Sequence, residues 1–168
     1  MPRHPNRRLY AVASSSTKTG GLGTFFDHLV RAETRLYNAT GERLRAEHGI
    51  ATSQFEHLRY LRDHPDSRVA EIAIAFAAGV GAISKGADRL VARGWVVRRP
   101  NPADGRSSLL RLTPAGADLV ADAEATFRRS LEELIGDSLT DGQIAAVTSA
   151  LFTLRSALEQ AGVGTPVG

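Results

Sequence analysis

The sequence predicts a mainly α-helical protein with one small β-hairpin, and three observations support this fold class. Apolar residues recur every three or four positions along most of the 168-residue chain, which is the spacing of amphipathic helices. One central stretch, Trp95–Arg99, is instead aromatic and β-branched, as strands are. Glycine and proline stand where the patterns change, so the helices are several separate elements.

Composition sets limits on what the protein does and where it works. Apolar residues make up 42 % of the chain, which is enough to bury a core. The absence of cysteine excludes disulfides, thiolate catalysis and thiolate metal sites, and it fits a cytoplasmic protein. No apolar run approaches the roughly 18 residues of a membrane span, and the N-terminal arginines do not begin a signal peptide. We therefore expect a cytoplasmic protein without membrane association.

Both ends of the chain read as tails. Residues 1–23 are rich in Pro, Ser, Thr and Gly and carry four basic residues and no acid, so we expect a basic, flexible N-terminal tail. Residues 161–168 are expected to form a C-terminal tail.

Two helices are predicted after the N-terminal tail. The first runs from Thr24 to about His48 and has its apolar positions at Phe25, Leu29, Ala32 and Leu36. The second begins near Thr52 or Ser53, where Ser53 and Glu56 have the spacing of a capping box, and it ends at His64-Pro65.

The next two helices form a pair. Ser67 is expected to cap a short third helix that reaches Phe76. A fourth helix follows the small-residue turn Ala78-Gly79 and runs to about Arg93. Two helices joined by such a short turn predict a helix-turn-helix.

A hairpin follows the helix pair. Strand-like runs at Trp95–Arg99 and Leu109–Leu112 flank residues 100–108, which are rich in turn formers and carry Asp-Gly near the tip. Three helices and a hairpin in this order predict a winged helix-turn-helix over residues 51–113.

Two longer helices complete the chain. One begins at Thr113-Pro114 and ends near Ile135, and the other is capped by Thr140 and Gln143. The last helix carries a coiled-coil spacing at Ile144, Val147, Leu151, Leu154 and Leu158. This face either packs on its own core or is shared with a second subunit, and we favour the shared seam. With Phe25 and Leu29, it defines a helical dimerisation region over residues 24–50 and 114–160.

Charge is unevenly distributed along the chain. Residues 81–111 carry seven Lys and Arg against two Asp, a net of +5, whereas residues 112–168 carry three Arg against eight Asp and Glu, a net of −5. The basic block indicates a face for a polyanion. The alternative is a solvated surface whose charges are simply uneven.

The stretch from Arg68 to Val120 resembles the MarR (multiple antibiotic resistance regulator) family. The residues that carry the resemblance are Ile72-Ala73, Asp88-Arg89-Leu90, Gly94-Trp95-Val96, Asp104-Gly105-Arg106-Ser107 and Leu112-Thr113-Pro114-Ala115-Gly116. The resemblance implies a symmetric homodimer that joins its first, fifth and sixth helices. It also implies a ligand-responsive repressor that binds an inverted-repeat operator in double-stranded DNA. The chain departs from the family at Gly79, Gly81, Ala82 and Gly86, which are small, and at His57, which is polar.

On this reading the fourth helix enters the major groove and the hairpin contacts the minor groove. The residues expected at base edges are Gly81, Ala82, Ser84 and Lys85, of which Lys85 donates either to guanine or to phosphate. Ala82 is matched to a thymine methyl, and close packing is the other explanation for Gly81 and Gly86. Arg106 at the wing tip is expected in the minor groove. Asp104 is expected either to fix the loop or to pair with Arg106. The expected phosphate contacts are Ser67, Arg68, Arg98 and Arg99, and Arg89 either joins them or pairs with an acid.

The resemblance places an effector site for a small anionic or phenolic ligand between the first, second and fifth helices. The polar candidates on the first two helices are His28, Arg31, Arg35, His57 and Tyr60. A buried, neutral His57 satisfied by hydrogen bonds is the alternative. The histidine spacing predicts no metal site, and no cofactor is expected.

Other classes of function are less consistent with the sequence. The chain has no glycine-rich phosphate loop, nucleophile elbow or metal-ligand motif, so we expect it not to be an enzyme. A winged helix used for protein or RNA contacts is one alternative. A DNA-binding protein without an effector pocket is another.

Overall fold

The computed structural model describes the backbone of residues 7–164 and the side chains of residues 20–164. The elements follow in the order α1 (Arg7–His48), α2 (Thr52–Asp63), β1 (Ser67–Arg68), α3 (Val69–Ala75), α4 (Val80–Ala92), β2 (Val96–Pro100), β3 (Ser108–Leu112), α5 (Pro114–Ile135) and α6 (Asp141–Gln160). The mainly helical fold with a small hairpin is therefore as predicted. The chain divides into two units, Met1–Ala39 and Thr40–Gly168.

Helix α1 begins earlier than expected. It starts at Arg7, so the prediction of a tail over residues 1–23 is wrong from that residue onward. No proline interrupts the chain between Pro5 and Pro65, and the clustered Gly20, Gly21 and Gly23, which cost a helix about 0.5–1 kcal/mol each, do not end it. Residues 1–6 and 165–168, which include parts of both predicted tails, lie outside the described residues.

The start of α2 corrects a predicted cap. The cap residue is Ala51, whose backbone N–H donates to Oε1 of Gln54 over 2.9 Å. The pairing of Ser53 with Glu56 is therefore wrong, because both residues already lie inside the helix. The end of α2 at Asp63, just before His64-Pro65, is as predicted.

Ser67 lies in a strand rather than at a helix cap. It pairs with Leu110 across the β1–β3 ladder, and its hydroxyl donates to the carbonyl oxygen of His64 over 2.7 Å. Arg68 takes the cap position of α3, and its N–H donates to Oε2 of Glu71 over 2.8 Å. The predicted cap is thus displaced by one residue because the chain adds a third strand to the hairpin.

The three strands form an antiparallel sheet in the order β1-β3-β2. The β2–β3 register pairs Val96 with Leu112 and Pro100 with Ser108, which confirms the predicted hairpin. The loop that joins the two strands, residues 101–107, is the tip of the wing.

A glycine near the start of α5 lets this helix pack closely on the hairpin. Thr113 caps α5 as predicted, since its Oγ1 accepts from Gly116 N over 3.1 Å and donates to Gly94 O over 2.7 Å. Thr113 N also donates to Trp95 O over 3.0 Å. A Cβ on Gly116 would overlap the carbonyl of Trp95, so only glycine permits this packing.

The core lies in the unit Thr40–Gly168 and combines the helix-turn-helix with the sheet. Its fully buried large side chains are Leu44, Ile50, Phe55, Leu58, Leu61, Ile72, Leu90, Leu110 and Val120. Helix α6 begins at the predicted Thr140–Gln143 capping box but contributes no buried side chain. In the described part of the chain no single helix is long and apolar enough to cross a membrane, and only the bent pair α3–α4 passes on length and composition.

Candidate nucleic-acid interface

Helix α4 presents one side to the core and the other to solvent. Ile83, Ala87 and Leu90 are buried on its inner face. The helix bends away from α3 by 116°, and the turn between them is closed by a hydrogen bond from Ala77 N to Ile74 O of 3.1 Å. The outer face of α4 is therefore free to enter a groove of about 12 Å width, as a recognition helix does.

The predicted base-edge residues lie on or beside this outer face. Gly81, Ala82 and Lys85 are exposed, and Ser84 is half-buried. No heavy atom lies within 4 Å of where a Cβ on Gly81 would stand, so close packing does not explain this glycine. Gly86 is different, because its Cβ would lie 3.2 Å from Cε1 of His57, and packing does explain it.

The wing tip is shaped by two side chains that bond to their own loop. Asn101 accepts from Ala103 N over 3.0 Å and donates to Ser107 Oγ over 2.8 Å. Asp104 Oδ1 accepts from Arg106 N over 3.0 Å, so this carboxylate fixes the loop backbone as predicted. These local turns hold Arg106 exposed at the tip of the wing.

Arg98 joins the wing to the recognition helix. One of its terminal nitrogens donates to Asp88 Oδ1 on α4 over 2.7 Å, and the other donates to Ser108 Oγ on β3 over 2.9 Å. Arg98 was expected to contact phosphate. In this structure it holds the wing and α4 in a fixed position relative to each other.

Two more basic residues of this region have carboxylate partners. Arg111 forms a two-pronged pair with Asp66, in which Nε donates to Oδ1 over 2.9 Å. Arg68, another expected phosphate contact, pairs with Glu71 over 2.7 Å. The hydrogen bonds from the backbone and side chain of Arg68 lower the pKa of Glu71, so this carboxylate is charged at neutral pH. Both arginines are partly neutralised before any nucleic acid binds.

Five cations of the recognition helix and wing remain available. The exposed cations that form no ion pair with a residue that the structure describes are Lys85, Arg89, Arg93, Arg99 and Arg106. The guanidinium of Arg93 lies over the Trp95 ring, 5.0 Å from its centroid. Ser67, by contrast, is buried and its hydroxyl is bonded to the chain, so its predicted phosphate contact does not fit this structure. Of the seven cations of the basic block, Arg98 and Arg111 are paired with carboxylates, and the other five are accessible.

The predicted effector residues are split between the two units. His28, Arg31 and Arg35 lie in Met1–Ala39, where Arg31 pairs with Asp27 over 2.8 Å, and His57 and Tyr60 lie in the other unit. The rings of His57 and Tyr60 contact Phe76, with centroids 5.2 Å and 5.6 Å away. Both side chains therefore face the helix-turn-helix. An effector site between helices α1, α2 and α5 would instead require them to face α5.

The alternative interpretation of His57 was a buried, neutral ring satisfied by hydrogen bonds, and these hydrogen bonds are absent among the described residues. No described residue hydrogen-bonds its ring, which lies half-buried against Phe76 and Gly86. Burial, and then the nearby charge of Arg89, lower the pKa of His57. The ring is therefore neutral at physiological pH because of packing and charge.

Sequence reasoning overlooked Arg59. Its guanidinium lies over the rings of Phe55 and Phe127, at 5.7 Å and 5.6 Å from their centroids, and so faces α5. No carboxylate of a described residue forms an ion pair with it. The signal was present in the helical spacing, since Arg59 lies four residues after the buried Phe55.

The predicted dimer contacts are partly exposed apolar side chains. On α6, Ile144, Val147, Leu154 and Leu158 are exposed and Leu151 is half-buried, although they are apolar. In the N-terminal unit Phe25 is exposed and Leu29 is half-buried, and the neighbouring Phe26 has 66 % of its surface accessible.

A helix-turn-helix with a basic wing and exposed cations defines a winged-helix nucleic-acid-binding protein. Comparison with known proteins specifies the class further. Residues 48–107 match the MarR family profile. The HTH-type transcriptional repressor NicR of Pseudomonas putida is 33 % identical over 80 % of this chain and 85 % of its own. The multiple antibiotic resistance protein MarR of Escherichia coli is 31 % identical over 58 % of this chain and 68 % of its own. The chain belongs to the MarR family of transcriptional regulators.

The fold agrees with solved structures of the family. A crystal structure of a mutant MarR from Escherichia coli complexed with operator DNA superimposes with a TM-score of 0.69 at 28 % identity. It covers 80 % of this chain and 93 % of that one. The winged-helix architecture predicted from the sequence is thereby confirmed.

Proposed function

We propose that this regulator binds an inverted-repeat operator in double-stranded DNA as a homodimer and acts as a repressor. The observation that carries the proposal is the set of exposed cations without ion pairs on the recognition helix and wing, of which we assign Lys85, Arg89, Arg99 and Arg106 to DNA. Cations without a protein partner gain most from phosphate contacts, because binding releases the counterions condensed on DNA. The relative NicR, which is named a transcriptional repressor, supports the direction of regulation.

Each of these four assigned cations has a part in the proposed complex. Lys85 lies where the first turns of α4 meet base edges or phosphate, and Arg106 enters the minor groove from the ordered wing tip. Arg89 and Arg99 bind phosphates, which orient the protein without reading sequence. Arg98 and Asp88 keep the wing at a fixed distance from α4, so both grooves are contacted in one register.

The homodimer follows from surfaces that a single chain leaves uncovered. Helix α6 has no buried residue although its apolar positions repeat with coiled-coil spacing. Two recognition helices in a symmetric dimer lie about 34–36 Å apart on one face of DNA. We therefore expect half-sites whose centres are about 10 base pairs apart.

The test is a fluorescence-anisotropy titration against duplex DNA taken from directly upstream of the protein's own gene, with a scrambled duplex of equal composition as control. The proposal predicts tight binding to the native duplex that weakens steeply as salt rises. A selection from random duplexes is run in parallel, so that an operator located elsewhere is also found. Failure to enrich any duplex sequence would contradict specific DNA binding.

A small anionic effector is the second part of the proposal, and Arg59 is the residue that supports it. A guanidinium held over two rings and lacking a carboxylate partner suits an aromatic carboxylate, which can both stack and accept a bidentate pair. Benzoate is the simplest probe. We expect it to release operator DNA from the wild type and not from Arg59→Gln, with Arg128→Gln on α5 as the matched control. Equal release from all three proteins would remove Arg59 from the effector site.

The remaining alternatives make different predictions. A winged helix that serves RNA would prefer hairpin RNA over duplex DNA in the same titration. A DNA-binding protein without an effector pocket would stay bound at every benzoate concentration. Because a DNA-bound repressor works beside the chromosome, we also infer that the protein is cytoplasmic and that its activity is binding and not catalysis.

A further inference from the structure

The tip of the helix-turn-helix is exposed and entirely apolar. From Ile74 to Ala82 the chain reads Ile-Ala-Phe-Ala-Ala-Gly-Val-Gly-Ala, without one polar side chain. Ile74 has 68 % of its surface accessible and Val80 has 50 %. Ala77, Gly81 and Ala82 are also exposed. We call residues 74–82 the apolar tip.

The apolar tip lies inside the proposed DNA interface and not beside it. Val80 is the first residue of α4, and the exposed Lys85 and Arg89 follow further along the same helix. A helix that carries exposed cations favours a polyanionic partner over an apolar protein surface. The tip is therefore placed where the first turn of a recognition helix meets the edges of bases.

Hydrogen bonding at this tip is limited to the backbone. Residues 74–82 have no side-chain donor or acceptor, so they cannot form the bidentate contacts that select guanine or adenine. In the major groove the only apolar feature of a base edge is the 5-methyl group of thymine. An exposed valine and isoleucine gain free energy there by removing methyl surface from water.

We infer that the apolar tip reads thymine methyl groups, with Val80 as the main contact and Ile74 as the second. Each half-site then contains thymines under the start of α4, and the protein distinguishes thymine from uracil at those positions. This inference rests on the proposed function, because it assumes that α4 enters the major groove. The open space at Gly81 supports it, since the absence of a side chain there brings the helix backbone closer to the bases.

The experiment begins with the duplex enriched from a random library by the wild-type protein. Its dissociation constant is compared with that of the same duplex carrying deoxyuridine in place of every thymidine of the half-sites, which removes only methyl groups. A duplex with deoxyuridine outside the half-sites is the matched DNA control. We expect a loss of about fourfold for each contacted methyl, and hence about 15-fold for one methyl in each half-site.

Protein variants assign the effect to the tip. Val80→Ala is expected to weaken binding to the thymine duplex. It should also reduce the uracil penalty, which is the loss of affinity when deoxyuridine replaces thymidine. The reason is that the protein substitution and the DNA substitution remove the two partners of the same contact. Lys85→Gln is the matched control, and it should weaken both duplexes equally and leave the penalty unchanged. Ile74→Ala should give a smaller reduction of the penalty than Val80→Ala.

The outcomes separate this inference from the proposed function. If no duplex is enriched, the proposed function fails. If a duplex is bound equally well with thymine and uracil, operator binding stands and the methyl readout is overturned. A uracil penalty that Val80→Ala and Ile74→Ala leave intact overturns the assignment to the tip. A lower sedimentation coefficient of Val80→Ala would also overturn it, by showing that the tip contacts a second protein chain.

Discussion

Arg98 on the wing and Asp88 on the recognition helix form an ion pair of 2.7 Å, and this pair couples the two elements that are proposed to touch DNA. Asp88 also places a negative charge on the outer face of α4, where phosphates approach. The pair thus fixes the position of the wing relative to α4, but it reduces the electrostatic attraction of this surface for DNA. It suits a protein whose specificity depends on presenting α4 and the wing in one register.

Asp88→Asn tests this coupling. Removing the carboxylate frees the charge of Arg98, so affinity for a scrambled duplex should rise about threefold to tenfold at low salt, and the salt dependence should steepen. The preference for the operator over the scrambled duplex should fall, because the wing is no longer held to α4.

Ser108→Ala is the control for that variant. It removes the other hydrogen bond of Arg98 without changing any charge. We expect its salt dependence to equal that of the wild type. Parallel salt plots for Asp88→Asn and the wild type would contradict the coupling.

Arg106→Ala is predicted to weaken operator binding by about 1–3 kcal/mol. The loop around Arg106 is ordered by Asn101 and Asp104, so the substitution removes a side chain from a prepared position and does not disturb the fold. The slope of log affinity against log salt should fall by about one. The control is Arg128→Ala on α5, which lies outside the basic block and should leave both the affinity and the salt slope unchanged. If Arg106→Ala binds the operator as tightly as the wild type, the wing contact is rejected.

Gly116→Ala is predicted to destabilise the fold by about 1–3 kcal/mol, because the new methyl overlaps the carbonyl of Trp95 where α5 meets the hairpin. The measurement is urea unfolding followed by circular dichroism. Gly142→Ala in α6 is the matched control, since its Cβ meets open space, and it should not lower the free energy of unfolding. Equal midpoints for Gly116→Ala and the wild type would show that α5 moves to make room.

Sequence patterns within a few residues predicted the helices and strands well. The features that were missed depend on contacts between residues that are distant along the chain. The caps at Thr113 and Thr140 were foreseeable because each bonds within three residues. The strand at Ser67 was not, since its partner Leu110 is 43 positions away. Similarly, Arg111 finds Asp66 only after folding, so counting charges overstated how many cations are free.

The second source of error was the direction in which helical residues face, and it affected the choice of effector-site residues. The effector candidates His57 and Tyr60 were chosen for their chemistry, and the structure places both against Phe76. Arg59 lies between them in sequence and faces Phe127. Residues two positions apart on a helix do not share a face, so the angular position had to be weighed together with the residue type.

His57 is predicted to make the fold less stable in mild acid. Its pKa is lowered in the folded state, so the unfolded chain takes up a proton first as the pH falls. Well above the unfolded-state pKa of about 6.5 the residue is neutral in both states and contributes no pH dependence. Below that pH the free energy of unfolding decreases until the folded protein is protonated as well.

The measurement is the free energy of unfolding between pH 5 and 8 for the wild type and for His57→Phe. The wild type should lose more stability on acidification, since the variant has no group to titrate at this position. Tyr60→Phe, which keeps a ring against Phe76, should follow the wild type. Identical pH profiles for His57→Phe and the wild type would mean that the ring is solvated.

Leu151→Glu or Leu154→Glu is predicted to convert the protein to monomers. Both residues lie on the α6 face that repeats as Ile144, Val147, Leu151, Leu154 and Leu158, and a charge in a buried apolar seam costs several kcal/mol unless it is paired. Helix α6 has no fully buried side chain, and Leu154 is exposed whereas Leu151 is half-buried, so Leu154→Glu in particular should leave the fold intact. Sedimentation then separates loss of the dimer from loss of structure.

Ser149→Glu carries the same new charge on the opposite face of α6 and should remain dimeric. The monomeric variants should also lose most operator affinity, because one recognition helix contacts only one half-site. A folded Leu151→Glu protein that still sediments as a dimer would move the interface away from α6. In that case the exposed apolar residues of the N-terminal unit, Phe25 and Phe26, become the surface to test next.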